Sequence, residues 1–319
     1  MLRYAALKTG RALFVVWAAF TLTFALLFVL PADPVSLLFD PAEINTIPPE
    51  VREQVAANYG FDQPVLVQYL SRLGHALTGD FGHSVQSGKP VTEAVLAVLP
   101  STLALAAGAL VLALIIAFAI ALIASSTRHR WVKELIESLP SASVSVPVFL
   151  SGILILQIFS FRLGWFPAFG DDGPSSLVLP IVTLAIPVSG PIAELLVRNF
   201  AIELRSGYVT TSWAKGATRA QVITGDVSRN ASLPALTIAG ITFGNLIAGS
   251  VITETVFARE GVGRMTQTAI NTLDVPLVQG IVVFVAASFA LINLIVDLIY
   301  PLLDPRLRAV LAAPAVRTA

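Results

Sequence analysis

Residues 101–124 read "STLALAAGALVLALIIAFAIALIA", twenty-four positions without a charge. As a helix, at 1.5 Å per residue, this run reaches about 36 Å, enough to cross the ~30 Å hydrocarbon core of a bilayer. The rest of the chain repeats the pattern. Apolar blocks fall at roughly 11–30, 101–124, 140–161, 177–199, 235–257 and 276–302, in a sequence that is 55% hydrophobic and 13% charged, with a mean hydropathy of +0.81. A soluble globular core does not concentrate apolar residues in this way. The expectation is an all-α integral membrane protein with six transmembrane helices.

The first block follows Arg3, Lys8 and Arg11, as a secretory signal would. Its apolar run is too long for a signal core and no small-x-small site follows before Pro31, so a retained first helix is expected. The fourth block, "LVLPIVTLAIPVSGPIAELLV", carries Pro180, Pro187 and Pro191. Membrane helices tolerate proline where neighbours satisfy the freed carbonyls, which predicts a kinked, protein-buried helix.

Basic residues divide by loop. Six spans put one set on one side: Arg3, Lys8, Arg11, Arg128, Arg130, Lys133, Arg198, Arg205, Lys215, Arg219, Arg229, Arg306, Arg308 and Arg317. The other side keeps Arg52, Arg72, Lys89, Arg162, Arg259 and Arg264. The positive-inside rule places both termini and the loop at 200–233 in the cytoplasm. Residues 1–31 are then the tail and first span, 32–99 an external cap of short helices, and 100–319 the core.

The formal net charge is zero and there is no cysteine, so global charge gives no reason for nucleic acid and thiolate chemistry is excluded. A nucleotide-binding GxxxxGK[ST] loop is missing, as are HExxH and GxSxG. His75, His83 and His129 are scattered, which predicts no metal site. Of the acids in the spans, Glu194, Glu254 and Asp297 all lie towards the ends. A proton-coupled carrier, the rival class, would want a carboxylate near the midplane. Uncharged polar groups do reach the spans. Ser141, Ser143 and Ser145 open the third, while Asn245, Gly249, Ser250 and Thr253 run along the fifth. They are a candidate translocation path, with helix packing as the plainer reading.

Between the fourth and fifth spans lies "YVTTSWAKGATRAQVITGDVSRNASLP", Tyr208 to Pro234. Thr218 and Gln221 form a capping-box pattern. Ala220, Ile223, Val227 and Ala231 then recur at helical spacing, and Pro234 suits the first position of the fifth span. Gly216 separates two helical pieces, so a folded helix–turn–helix projection is expected.

This segment resembles the cytoplasmic EAA loop of ATP-binding-cassette importer permeases, in its peptide-permease form. Tyr208, Val209, Thr211, Ala214, Lys215, Gly216, Arg229, Asn230, Leu233 and Pro234 fall on the pattern without a gap. "YGFDQPVLVQYL", "LTGDFGHSV", "LGWFP", "ETVFAREGVGRMTQTAI", "VPLVQG" and "NLIVDLIYPLLDPRLR" agree in order, so the likeness covers nearly the whole chain. Departures stand at Thr210 and Trp213 (usually arginine), Asp226 (usually histidine) and Glu260-Gly261 (usually Pro-Gly).

The resemblance implies a type I ABC importer permease (MetI-like) fold, and the long segment between spans one and two implies the B-type subunit. It implies a homologous C-type permease, two cytoplasmic ATPase subunits that carry the ATP and Mg, and an external solute-binding protein, often a lipoprotein. The chain itself would bind no cofactor and no metal and would do no catalysis. Di- or oligopeptides are the implied cargo, with nickel chelates, haem, opines or sugars as alternatives. The ATPase-coupling set would be Tyr208, Thr211, Ala214, Lys215, Gly216, Thr218, Ala220, Ile223, Arg229, Asn230, Leu233 and Pro234. The external partner face would be Asp80, Glu260, Gly261, Gly263 and Asp274.

Overall fold

The computed structural model describes residues 2–29, 48–51, 54, 63–171 and 173–303. Much of the expected cap, including 30–47 and 55–62, lies outside the described residues, as does the segment from 304 onward. The described chain is helical. Helix α1 (Leu2–Phe24) continues through a π-helical turn (Ala25–Val29), and α2 (Val65–Leu77) precedes the long α3 (Val91–Ser126). Next come α4 (Arg130–Ser145) and α5 (Val148–Ile155), the latter prolonged by a π turn (Leu156–Arg162). Helix α6 (Ser175–Glu203) and α7 (Gly207–Ala214) lead to α8, built of Arg219–Val222, a π turn Ile223–Val227 and Ser228–Ala231. The chain then forms α9 (Leu233–Val256), the short α10 (Val262–Asn271) and α11 (Val275–Leu303).

Among the described residues five helices, α1, α3, α6, α9 and α11, are each long and apolar enough to cross a membrane. The third block departs from the expected single helix. It is two helices, α4 and α5, bent by 99°, and the count reaches six only if that pair is one span. Pro147 explains the break: it lacks an amide hydrogen and forces the residue before it out of the α region. Val146 is accordingly extended at φ −97, ψ 124. Helix α3 begins ten residues before the uncharged run, and its 36 residues reach about 54 Å.

Among the described residues, α3 and α6 share the most extensive helix contact. Ala109, Ala113, Ala117 and Ala121 are fully buried at four-residue spacing, a seam of small side chains that lets two backbones approach. Ala117 and Ala121 meet Ile192, Ala193, Leu196 and Phe200 of α6. On α6, Gly190 sits so close to α4 that a Cβ would lie 2.7 Å from the Pro140 carbonyl. Overpacking such a seam costs about 1–3 kcal/mol. Ala117→Leu is expected to lower the thermal midpoint of the detergent-solubilised chain, whereas Ile115→Leu, on the exposed face of the same helix, leaves it unchanged.

Candidate functional site

The segment between α6 and α9 folds onto one end of the bundle. Val209, Val222, Ile223, Val227 and Ala231 are buried in one cluster with Ala117 and Ala121 of α3 and Leu196 and Phe200 of α6. The capping box is formed: the Thr218 hydroxyl accepts from the Gln221 amide and the Gln221 side chain returns to the Thr218 amide. Gly216 joins α7 to α8 at φ +84, a left-handed conformation that glycine adopts at no steric cost. The Arg219 guanidinium donates to the Ser125 carbonyl at the end of α3, 2.8 Å away. Ser212 donates to Asp226 at 3.1 Å, tying α7 to α8. Tyr208 donates to Glu203 at 2.6 Å. Burial first, then that hydrogen bond, push the Tyr208 phenol above its ordinary value, so at physiological pH it stays a donor.

The buried side of α8 differs from the expected stripe. Ile223, Val227 and Ala231 point inward, but Ala220 is exposed and Val222 takes the inner place. Ser228 donates to the Ile223 carbonyl five residues back, 2.6 Å away, within the π turn that re-phases the helix. The outer surface is left to Thr210, Thr211, Trp213, Ala214, Lys215, Gly216, Thr218, Arg219, Ala220 and Arg229. Tyr208, Asn230 and Leu233 are half-buried, and Pro234 takes the second rather than the first position of α9. Thr210 and Trp213, two of the departures from the family pattern, are both on that outer surface.

At the opposite end the polar residues are buried. Glu254, near the end of α9, is 1% exposed. Its Oε1 accepts from Thr102 of α3 at 2.7 Å and its Oε2 from the Arg264 amide at 3.1 Å. Thr102 in turn accepts from the Val262 amide at 2.8 Å. The first turn of α10 is thus capped by side chains from two other helices, a tertiary version of the usual N-cap. Gly261 and Gly263 permit it: a Cβ on Gly261 would lie 2.3 Å from the Glu254 carboxyl carbon, and one on Gly263 2.5 Å from Val251 Cα. Arg259, 4% exposed, donates to Ser176 (3.0 Å) and Ser101 (3.1 Å) and pairs with Asp171 at 2.5 Å. Asp274 is fully buried before α11. It accepts from Ser84 at 2.5 Å and from the Leu277 amide at 3.3 Å. The "GDFGHS" turn is thereby fastened: Asp80 accepts from the Gly82 amide at 2.9 Å, and Ser84 reaches α11.

Of the five residues assigned to an external partner face, only Asp80 and Glu260 are exposed; Gly261, Gly263 and Asp274 are buried. Gly261 and Gly263 are buried against Glu254 and Val251 of the preceding helix α9, whereas Asp274 is covered by Ser84 from the 83–90 turn, far away in sequence. Glu254 lies near a helix end as expected, but as a buried hydrogen-bond hub.

The translocation set also divides. Asn245 and Gly249 are exposed on α9, in one stripe with Thr237, Ile241, Ala248, Ile252 and Thr255. Asn245 lines an apolar cavity of about 420 Å³ between α1, α9, α10 and α11. Ser250 and Thr253 face the other way, at 0% and 1% exposure. Ser143 returns its hydroxyl to the Pro140 carbonyl and Ser145 to that of Ser141. Ser141 and Ser145 are exposed on α4. Helices α4 and α9 each pack on α6. Among the described residues, no group of three or more His, Asp or Glu could hold a metal.

The chain belongs to the family described as binding-protein-dependent transport system inner membrane component, whose model matches residues 113–309. The N-terminal model of the same family matches residues 1–106. Among curated proteins it is 35% identical to the glutathione transport system permease protein GsiC of Salmonella typhimurium over 287 residues, 90% of this chain and 92% of that one. It is 33% identical over the same length to GsiC of Escherichia coli K12. Its fold is similar to the methionine ABC transporter MetNI in two crystal forms, at TM-scores of 0.54 and 0.56 and 18% identity, over 66% of this chain and 95–96% of those chains. The chain is a permease subunit of a binding-protein-dependent ABC importer, a multi-pass membrane protein.

Proposed function

We propose that this chain forms half of the translocation pathway of an ATP-driven importer of short peptides. It works without catalytic groups of its own, beside a homologous permease, two cytoplasmic ATPases and an extracytoplasmic solute-binding protein. The observation that carries the reading is the loop at 207–231, whose inner side is buried in the α3–α6 core while its outer side is exposed. A rigid projection fastened to two spans transmits displacement, and the coupled switch needs only that the ATPases bind it differently in their two states. The loop end, with its excess of Lys and Arg, faces the cytoplasm under the positive-inside rule, together with both termini. ATP and Mg belong to the ATPases.

The peptide class rests on the glutathione permeases, whose named cargo is a tripeptide, at 33–35% identity over 90% of the chain. On α9, the exposed stripe through Asn245 and Gly249 is the surface offered to cargo or to the second permease. At the other end, Asp80 and Glu260 remain the surface positions for the binding protein, while Asp274, Gly261 and Gly263 hold that surface in shape. The test is to load the cognate binding protein with a mixture of di- to pentapeptides, nickel chelates, haem and sugars and to identify what it retains. Retained peptide that is then taken up by vesicles holding the importer supports the reading. Retention of a sugar, haem or a nickel chelate alone overturns the peptide class. Uptake by this chain alone, driven by a proton gradient, overturns the importer mechanism.

A further inference from the structure

We propose that α2, expected as part of the external cap, is immersed in the lipid bilayer alongside α1, in the leaflet away from the 200–233 loop. Three observations carry this. The first is depth. Helix α1 has charged residues up to Arg11 and then an apolar run 12–29, about 27 Å long at 1.5 Å per residue, close to the ~30 Å it must cross. Helix α2 lies against the middle and far half of that run. Its Tyr69 hydroxyl accepts from Trp17 Nε1 at 2.9 Å and shares a 2.8 Å hydrogen bond with Thr21. The Tyr69 ring sits 5.9 Å from that of Phe20 and 5.3 Å from that of Phe24, and the Arg72 guanidinium lies 4.1 Å over Phe28. Were α2 in water, residues 17–28 of α1 would be there too, leaving about five residues to cross the membrane.

The second observation is the outward face. Leu66, Val67, Leu70 and Leu77 are 68%, 45%, 58% and 81% exposed. Ser71 and Gly74 are exposed between them. This is the reverse of a solvated amphipathic helix. The third is charge. Arg72, the one residue of α2 that is Lys, Arg, Asp or Glu, turns inward onto Phe28, as a charged group inside a membrane does. His75, beyond it, lies towards the polar turn with Asp80, 3.4 Å away. The occupant of the outward face is therefore the acyl chain of a phospholipid. Tyr69 is the anchor, giving Trp17 and Thr21 polar partners where water is absent.

The chain has no cysteine, which makes the test direct. Single cysteines replace Leu66 and Leu70, with Leu22 as a lipid-facing reference on α1 and Ser87 as a reference in the polar turn, both exposed. Each is spin-labelled in the assembled importer in phosphatidylcholine–phosphatidylglycerol vesicles, and collision with oxygen is compared with collision with a water-soluble nickel chelate. Labels at Leu66 and Leu70 are expected to match Leu22, with oxygen access exceeding nickel access. Nickel access as high as at Ser87 would put α2 in water and overturn the proposal. Low access to both reagents would show a protein partner on this face and overturn it equally.

Discussion

Gly263→Ala is expected to remove most of the folded chain from the membrane fraction, although one methyl group is the whole change. The methyl would sit 2.5 Å from Val251 Cα and 2.7 Å from Val251 N. Both are backbone atoms inside α9, so no rotamer can relieve the contact and α10 must move off α9. That movement pulls the Arg264 amide from Glu254 and the Val262 amide from Thr102. A buried carboxylate that loses its donors costs about 1–3 kcal/mol for each unmet group, and the overpacking itself adds a similar amount. Together these approach the stability of a typical domain. Gly74→Ala, in α2, meets nothing within 4 Å and is expected to leave the yield unchanged. Quantifying the monodisperse fraction after mild detergent extraction checks both, and equal yields would show that the clasp around Glu254 does not hold this end together.

That clasp also marks where sequence reading stops. The spans were legible because membrane crossing demands a long apolar run, and composition reports that without knowing any neighbour. Residues 101–124, 177–199 and 235–257 all became helices for this reason. The capping box at Thr218 and the turn at Gly216 were legible because both are local: their partners lie within three or four residues. What escaped was long-range. Glu254 reads as a charge near a helix end until Thr102, 152 residues away, is brought beside it. Asp274 reads as a surface acid until Ser84, 190 residues away, closes over it. The break at Pro147 was available in the sequence, since proline and the residue before it resist helix together. Hydropathy averaged across it hid the bend.

Ala220 and Ile223 give the second large effect, and they separate the fold of the loop from its work. Ile223 is 1% exposed in the cluster shared with α3 and α6. An ionised group there, unpaired in an apolar core, is costly enough to prevent packing. Ile223→Glu is expected to lose accumulation of the chain. Ala220 lies on the exposed side of the same helix, so Ala220→Glu is expected to insert and fold normally. Gly216→Val acts between these limits. At φ +84 a β-branched residue costs about 1–2 kcal/mol, which re-angles α7 against α8 while their buried residues keep the loop attached.

The measurement that bears most directly on the loop as the entry point for ATP's work is made on Ala220→Glu in proteoliposomes. These contain both permeases, both ATPases and the loaded binding protein, and ATP hydrolysis and cargo uptake are followed in the same sample. A loss of about 1.4 kcal/mol in docking weakens the affinity of the loop for its ATPase about tenfold. The account predicts a correctly inserted chain whose uptake falls by that order and whose ATP hydrolysis no longer responds to the loaded binding protein. Wild-type uptake with wild-type stimulation of hydrolysis would contradict it.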